Sequence, residues 1–202
     1  MIGDKPFELP AVLTEERLEN CTVKGQTIAE GDYSGTCFRR VTFQNCRLIN
    51  ATFRRSELIE CEWIGCDVSG ADFSETFWDH TACRAVKAIG SRISDSYLVD
   101  SVWEECNLRY ADLSRNKWKG GALRHCDLQE GFFSECKLIR FALSHCNLTR
   151  TEVMRTPLSG IDLSDSAIDG IRCSDNLSEL RGAFIDSLQA VEIARRIGIK
   201  VK

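Results

Sequence analysis

Proline, methionine and histidine are nearly missing from this chain, with three, two and three residues in 202. So little proline excludes collagen-like and Pro-rich disordered sequences, and 43% hydrophobic residues are enough for a folded core of one ordinary domain. No apolar run exceeds three residues. That excludes a transmembrane helix and the apolar centre of a secretory leader, so no membrane association is expected and a cytoplasmic location is. An excess of positive charge is missing too: 26 Lys and Arg stand against 30 Asp and Glu, a net charge of −4. A basic nucleic-acid binder is thereby excluded, and no direct nucleic-acid binding is expected. Cysteine, by contrast, is abundant, with 11 residues. An odd count without a leader reads as reduced thiols rather than a disulfide framework.

The apolar residues recur with a period of five. Stepping by five from Leu18 through Val23, Ile28 and Tyr33 to Cys173 gives 32 consecutive positions, none polar or charged, and all four Trp fall in this frame. Two residues before each, 26 of 32 positions hold Cys, Ser, Thr, Ala, Gly or Val, and eight of the 11 cysteines sit there. A period of five fits neither a 3.6-residue helix nor a two-residue strand. The chain must bring one large and one small side chain inward per five residues and then turn.

Segments such as Ala71-Asp72-Phe73-Ser74, Ala111-Asp112-Leu113-Ser114 and Cys126-Asp127-Leu128 resemble the pentapeptide-repeat family, over about residues 16–175. The resemblance implies an all-β solenoid, a right-handed quadrilateral β-helix with four pentapeptides per coil. The residues themselves show the 20-residue coil as ladders at that spacing. Cys46, Cys66, Cys106, Cys126 and Cys146 form one, broken by Val86; Ala51, Ala71, Ser91, Ala111 and Gly131 form another; Phe53, Phe73 and Phe133 stack on one side as well. About eight coils are expected, a rod of roughly 40 Å at sheet spacing, with a narrow interior filled by side chains.

Residues 79–92 are the least repeat-like part of the frame, since the large positions hold only Cys83 and Ala88. A loosely packed coil and a loop projecting from the rod are both open readings. Residues 1–15 lack the repeat and are expected to lie across the first coil as an N-terminal cap. From 176 to 202 the period changes. Leu188, Val191, Ile193, Ala194 and Ile197 make a helical stripe, with Asp186 or Ser187 able to cap its start and Gly198 just past its end. The open face of the last coil is the expected place for that stripe to bury. Leu180–Val201 also resembles the C-terminal module of Qnr-, MfpA- and AlbG-type family members, which implies a homodimer through these five residues.

No catalytic, cofactor or metal site is expected. His125-Cys126 and His145-Cys146 stand one coil apart, but the thiols take the inward position and the imidazoles the outward corner, which does not converge to a tetrahedron. There is no C-x-x-C pair, no Gly-rich phosphate loop, and no histidine with a Ser or Cys partner at a recognisable motif. Neither an enzyme nor a small-molecule substrate is expected.

The resemblance implies a DNA mimic that binds a type II topoisomerase, DNA gyrase or topoisomerase IV, and relieves poisoning by quinolones. Outward charges summed by side come to about +2, −2, −1 and −2 for the sides centred on Leu18, Val23, Ile28 and Tyr33. None is the strongly acidic stripe that electrostatic mimicry needs. An interaction scaffold with another partner is therefore the alternative.

Overall fold

The structure, a computed structural model, describes residues 5–201; the first four residues of the expected cap and the last residue of the tail lie outside it. The chain winds as a parallel β-solenoid with four sides and a twenty-residue repeat. On the first two sides the coil is strand. β1 (Arg17–Lys24) and β2 (Cys37–Gln44) each run around a corner and cover both. Thereafter each side has its own three-residue strands. β3 (Glu57–Ile59), β5 (Phe77–Asp79), β7 (Tyr97–Val99), β9 (Lys117–Lys119) and β11 (Lys137–Ile139) form one side. β4 (Glu62–Ile64), β6 (Ala82–Arg84), β8 (Val102–Glu104), β10 (Ala122–Arg124) and β12 (Ala142–Ser144) form the next. All pairs are parallel with partners twenty residues apart, as in Leu58↔Trp78 and Trp103↔Leu123. The other two sides carry single bridges, from Thr27↔Arg47 to Asn147↔Ala167 and from Val12↔Asp32 to Glu152↔Arg172.

Local chemistry explains the four-sided shape. Every fifth residue from Asn20 to Gly160 has φ in the left-handed region. Such a corner costs a non-glycine residue roughly 1 kcal/mol, and a β-branched residue much more. No Val, Ile or Thr stands at any of these positions. Asp and Asn before the inward residue help the turn by accepting the N–H two residues on, as Asp72 does from Ser74 (2.9 Å) and Asp112 from Ser114 (2.9 Å).

The large inward residues fill the rod. Phe53 and Phe73 stack at 4.7 Å and 6°, and Phe43 and Trp63 at 4.0 Å and 12°. Phe133, buried three coils further along, contacts Phe141 at 6.0 Å instead. The small residues do more than save space. Thr81 Oγ1 donates to the carbonyl of Leu58 (2.8 Å), Ser56 to Tyr33 (2.8 Å), Thr151 to Leu128 (2.8 Å), and Cys126 Sγ to Trp103 (3.4 Å). Each donor lies 23 residues beyond its acceptor and adds a second hydrogen bond to a carbonyl near a corner, as at Leu128, which also accepts the Gly131 N–H (2.9 Å).

Residues 79–92 stay in the coil. β5 and β6 keep their partners, and Lys87 and Arg92 keep the bridges to Asp67 and Asp72. Cys83 leaves room at its position, and Trp103 from the next coil leans onto Trp78 at 5.3 Å.

The rod is closed at both ends. Pro6 bridges Thr22, and Gln26 takes the Leu9 N–H (2.9 Å) while donating to the Phe7 carbonyl (2.7 Å). At the far end the coil count comes out slightly below eight, because the two stranded sides pair over about six turns, Arg17 to Lys137 and Thr22 to Ala142. Pro157 stands where the next strand would begin, and it has no N–H to donate. Residues 157–166 fold into tight turns instead, with Ile161 N–H on the Leu158 carbonyl and Ser166 N–H on that of Leu163, both at 3.0 Å.

Candidate interaction surface

The inward residues are packed in the core of the rod. Cys46, Cys66, Cys106, Cys126 and Cys146 are buried, all 11 cysteines are unbridged, and burial pushes the Cys61 and Cys136 thiols up to about 12. A thiol so far above neutral pH carries almost no nucleophilic thiolate. His125 and His145 stack on each other outside, at 4.8 Å and 19°, on the opposite side of the backbone from the thiols of Cys126 and Cys146.

The charges on the outer faces pair between coils. Arg115 grips Asp95 at 2.7 and 2.8 Å, Lys87 meets Asp67 at 3.1 Å, and Arg92 meets Asp72 at 3.3 Å, each one coil apart. Arg54 and Arg55 converge on Glu75 at 2.6 and 2.9 Å. Hydrogen bonds from Arg55 and Arg54 hold the Glu75 carboxyl below its usual range, and the Arg115 fork does the same for Asp95. His80 is shifted the other way, towards the charged form, by its bond to Asp79. In these pairs acid and base alternate along the rod axis.

The C-terminal end has a different character. A single 3₁₀ turn, Ser178–Leu180, closes the last coil around the buried carboxylate of Glu179. The helix α1 (Ser187–Arg196) follows. Asp186 caps it: its carboxylate accepts the Gln189 N–H (2.8 Å), and the Gln189 side chain accepts the Asp186 N–H (2.9 Å). Gln189 Nε2 also donates to the carbonyls of Leu163 (2.8 Å) and Ser166 (2.7 Å), and Arg196 donates to that of Ile171. With Ile193, these residues hold α1 on the coil. Gly198 ends it at φ 84°.

The five residues expected at a dimer contact divide. Ile193 packs on the core, and Val191 and Ala194 are half-buried. Leu188 and Ile197 are 77% and 55% exposed. Between α1 and Ser166–Ile171 runs a groove of about 810 Å³. Phe184, Ile199 and Val201 add exposed apolar surface at the same end.

Residues 36–113 match a family profile described as a pentapeptide repeat region. The chain carries a pentapeptide-repeat region. No curated protein matches it. Among solved structures it is similar to two trypsin-treated variants of QnrB1, a plasmid-mediated fluoroquinolone resistance protein. Identity is 20% in both; the matches cover 95% of this chain and 97% or 98% of the QnrB1 chains, with TM-scores of 0.57 and 0.56. It is also similar to HetL, a pentapeptide repeat protein of the cyanobacterium Nostoc involved in heterocyst differentiation regulation, at 15% identity, 85% and 90% coverage and a TM-score of 0.37. The QnrB1 matches establish a shared fold over nearly the whole rod.

Sequence reasoning missed two features that the structure makes evident. One is the carbonyl-capping role of the small position, whose signal was its wealth of Ser, Thr and Cys rather than Ala alone. The other is the left-handed corner, visible as the missing β-branched residues. Among the described residues, no helix is long and apolar enough to cross a membrane.

Proposed function

We propose that the chain is a non-catalytic binding protein of the bacterial cytoplasm that engages a type II topoisomerase, DNA gyrase or topoisomerase IV, and shields it from quinolone-like poisons. The observation that carries this reading is the end-to-end fold match with QnrB1, a fluoroquinolone resistance protein. A rod whose inside is packed solid offers its partner shape and surface only, which suits a protein that stands where a duplex would lie. The exposed apolar residues Leu188, Ile197, Ile199 and Phe184 at the C-terminal end support pairing of two rods there.

The test is a gyrase supercoiling and cleavage assay with the purified full chain, with and without ciprofloxacin. Rescue of supercoiling from the drug, or direct inhibition of supercoiling, is the expected result. No effect on either enzyme would end this reading.

The inter-coil ion pairs favour a second one. Charges that neutralise each other along the axis imitate the phosphate backbone poorly, and they suit an interaction scaffold for a partner other than a DNA-binding enzyme. Capture of a different partner from the native host, together with silence in the gyrase assay, is what this reading expects.

A further inference from the structure

The hydrogen-bond ladder of the solenoid is interrupted near its C-terminal end. On its two stranded sides the hydrogen-bond ladder stops at β11 and β12, while on the other two sides it continues through Asn147↔Ala167 and Glu152↔Arg172. Parallel pairing alternates, so Lys137 and Ile139 bond back to β9 and Leu138 faces the other way. Elsewhere the equivalent N–H groups are met by the next coil, as Glu60 is by Asp79 and Asn50 by Ser69. Pro157 and its turn meet none of the groups on β11. The N–H groups of Leu138 and Arg140 and the carbonyls of Cys136 and Leu138 have no protein partner among the described residues. The side chains report the same opening. In the column Leu58, Trp78, Leu98 and Trp118 exposure is 0–1%, whereas Leu138 is half-buried, Ile139 is 45% exposed and Ala142 is exposed.

Charge is anomalous at the same place. Lys117 and Lys119 lie on the outer face of β9, Lys137 on that of β11 and Arg140 at the corner after it, with Arg124 on β10, and all are exposed. None makes an ion pair among the described residues, whereas Lys87, Arg92, Arg115 and Arg155 each find an acid one coil away. Lys117 instead sits over the Tyr97 ring at 4.9 Å. The following coil offers Pro157, Ser159 and Gly160, with no acid.

The geometry points to strand addition: β11 accepts an extended acidic segment of a partner protein, which pairs with the free groups of Cys136, Leu138 and Arg140 and sets its carboxylates against Lys119, Lys137 and Arg140. A free strand edge with alternating donors and acceptors is a template for a peptide backbone. A DNA strand would leave the Cys136 and Leu138 carbonyls unmatched, because its sugar-phosphate backbone has no donors for them. A second copy of the chain would bring Lys137 against Lys137. This contact is independent of the topoisomerase reading and survives its failure.

The probe is a fluorescein-labelled decapeptide alternating Glu and Val, titrated with the full chain and read by anisotropy. Controls are a Lys–Val decapeptide and a Glu–Pro decapeptide, which has the acidic charge but cannot pair as a strand. The Glu–Val peptide is expected to bind saturably, to weaken at least tenfold with Lys119→Glu/Lys137→Glu, and to slow amide exchange at Leu138 and Arg140 in the unmodified protein. Absence of saturable binding overturns the proposal. So does equal binding of the Glu–Pro peptide, which means charge attraction without pairing, or of the Lys–Val peptide. Displacement of the peptide by a tighter-binding single-stranded oligonucleotide also overturns it.

Discussion

Thr81 donates its hydroxyl hydrogen to the carbonyl of Leu58 at 2.8 Å, across the boundary between two coils. Both groups are buried. The same bond recurs up the rod with serine, asparagine or cysteine as donor, as from Asn116 to Ile93 and from Cys146 to Leu123. Replacing Thr81 by Val keeps the shape and removes this bond, leaving the Leu58 carbonyl with only its pairing to β5. Such a loss costs about 0.5–1.5 kcal/mol. Urea unfolding is expected to show that drop for Thr81→Val and a smaller one for Thr81→Ser, which keeps the donor. Equal losses would mean that size alone matters at this position.

Gly121 has φ 94°, and a Cβ there would lie 2.2 Å from the Ser101 carbonyl oxygen. Both the conformation and the space exclude a side chain. Gly25 also has a positive φ, 65°, but open space around it. Gly121→Ala is therefore expected to lower the melting temperature well beyond Gly25→Ala, whose cost is the corner strain of about 1 kcal/mol. Similar melting temperatures for the two would contradict the close approach of these coils.

Glu179 gives the last coil a pH dependence. Burial works against its ionisation, but the Ser174 hydroxyl (2.6 Å) and the N–H groups of Arg155 (2.8 Å) and Ser174 (3.2 Å) outweigh it, and the carboxyl lies below its usual range. A depressed carboxyl stabilises the fold above the unfolded value, near about pH 4.3, and that contribution is lost as pH falls through the folded value. Unfolding between pH 6 and pH 3 is expected to be less steeply pH-dependent in Glu179→Gln than in the unmodified chain. An identical pH profile would remove Glu179 from this role.

Leu188 and Ile197 are exposed on the single rod, so a charge there does little to its fold. Sedimentation is expected to give a dimer for the unmodified chain and a monomer for Leu188→Asp/Ile197→Asp, with the melting temperature of the coil retained. A dimer that persists in the double variant would place the contact elsewhere. Ile193→Asp, facing the core, is expected to loosen α1 itself.

Phe73 stacks on Phe53 at the centre of the rod. Phe73→Ala opens a cavity whose cost is about 3–5 kcal/mol. An unchanged urea midpoint would show that the large position does not point inward.

The large and small frame was legible in the sequence because burial and size both follow the backbone period directly. Phe53, Phe73 and the cysteine ladder lie where that period puts them. What escaped depends on groups the frame does not register. Backbone carbonyls have no letters, so the donors that cap them passed as merely small residues. Pro157 was visible, yet its effect falls on the coil before it, where Leu138 and Arg140 lose their partners. The helix stripe was read as one buried face. Contact with the coil follows Gln189, Ile193 and Arg196 instead, and this line turns Leu188 and Ile197 outward.

The left-handed corner at every fifth residue also limits how the gene can be edited. Removing one residue would swap inside for outside in everything downstream. Removing five would keep that distinction but rotate the rest of the rod by a quarter turn, setting stranded sides over bridged ones and separating each Arg from its acid. Only whole coils of twenty can be added or removed without shearing the surface pattern, so the length of such a rod is expected to change in steps of one coil.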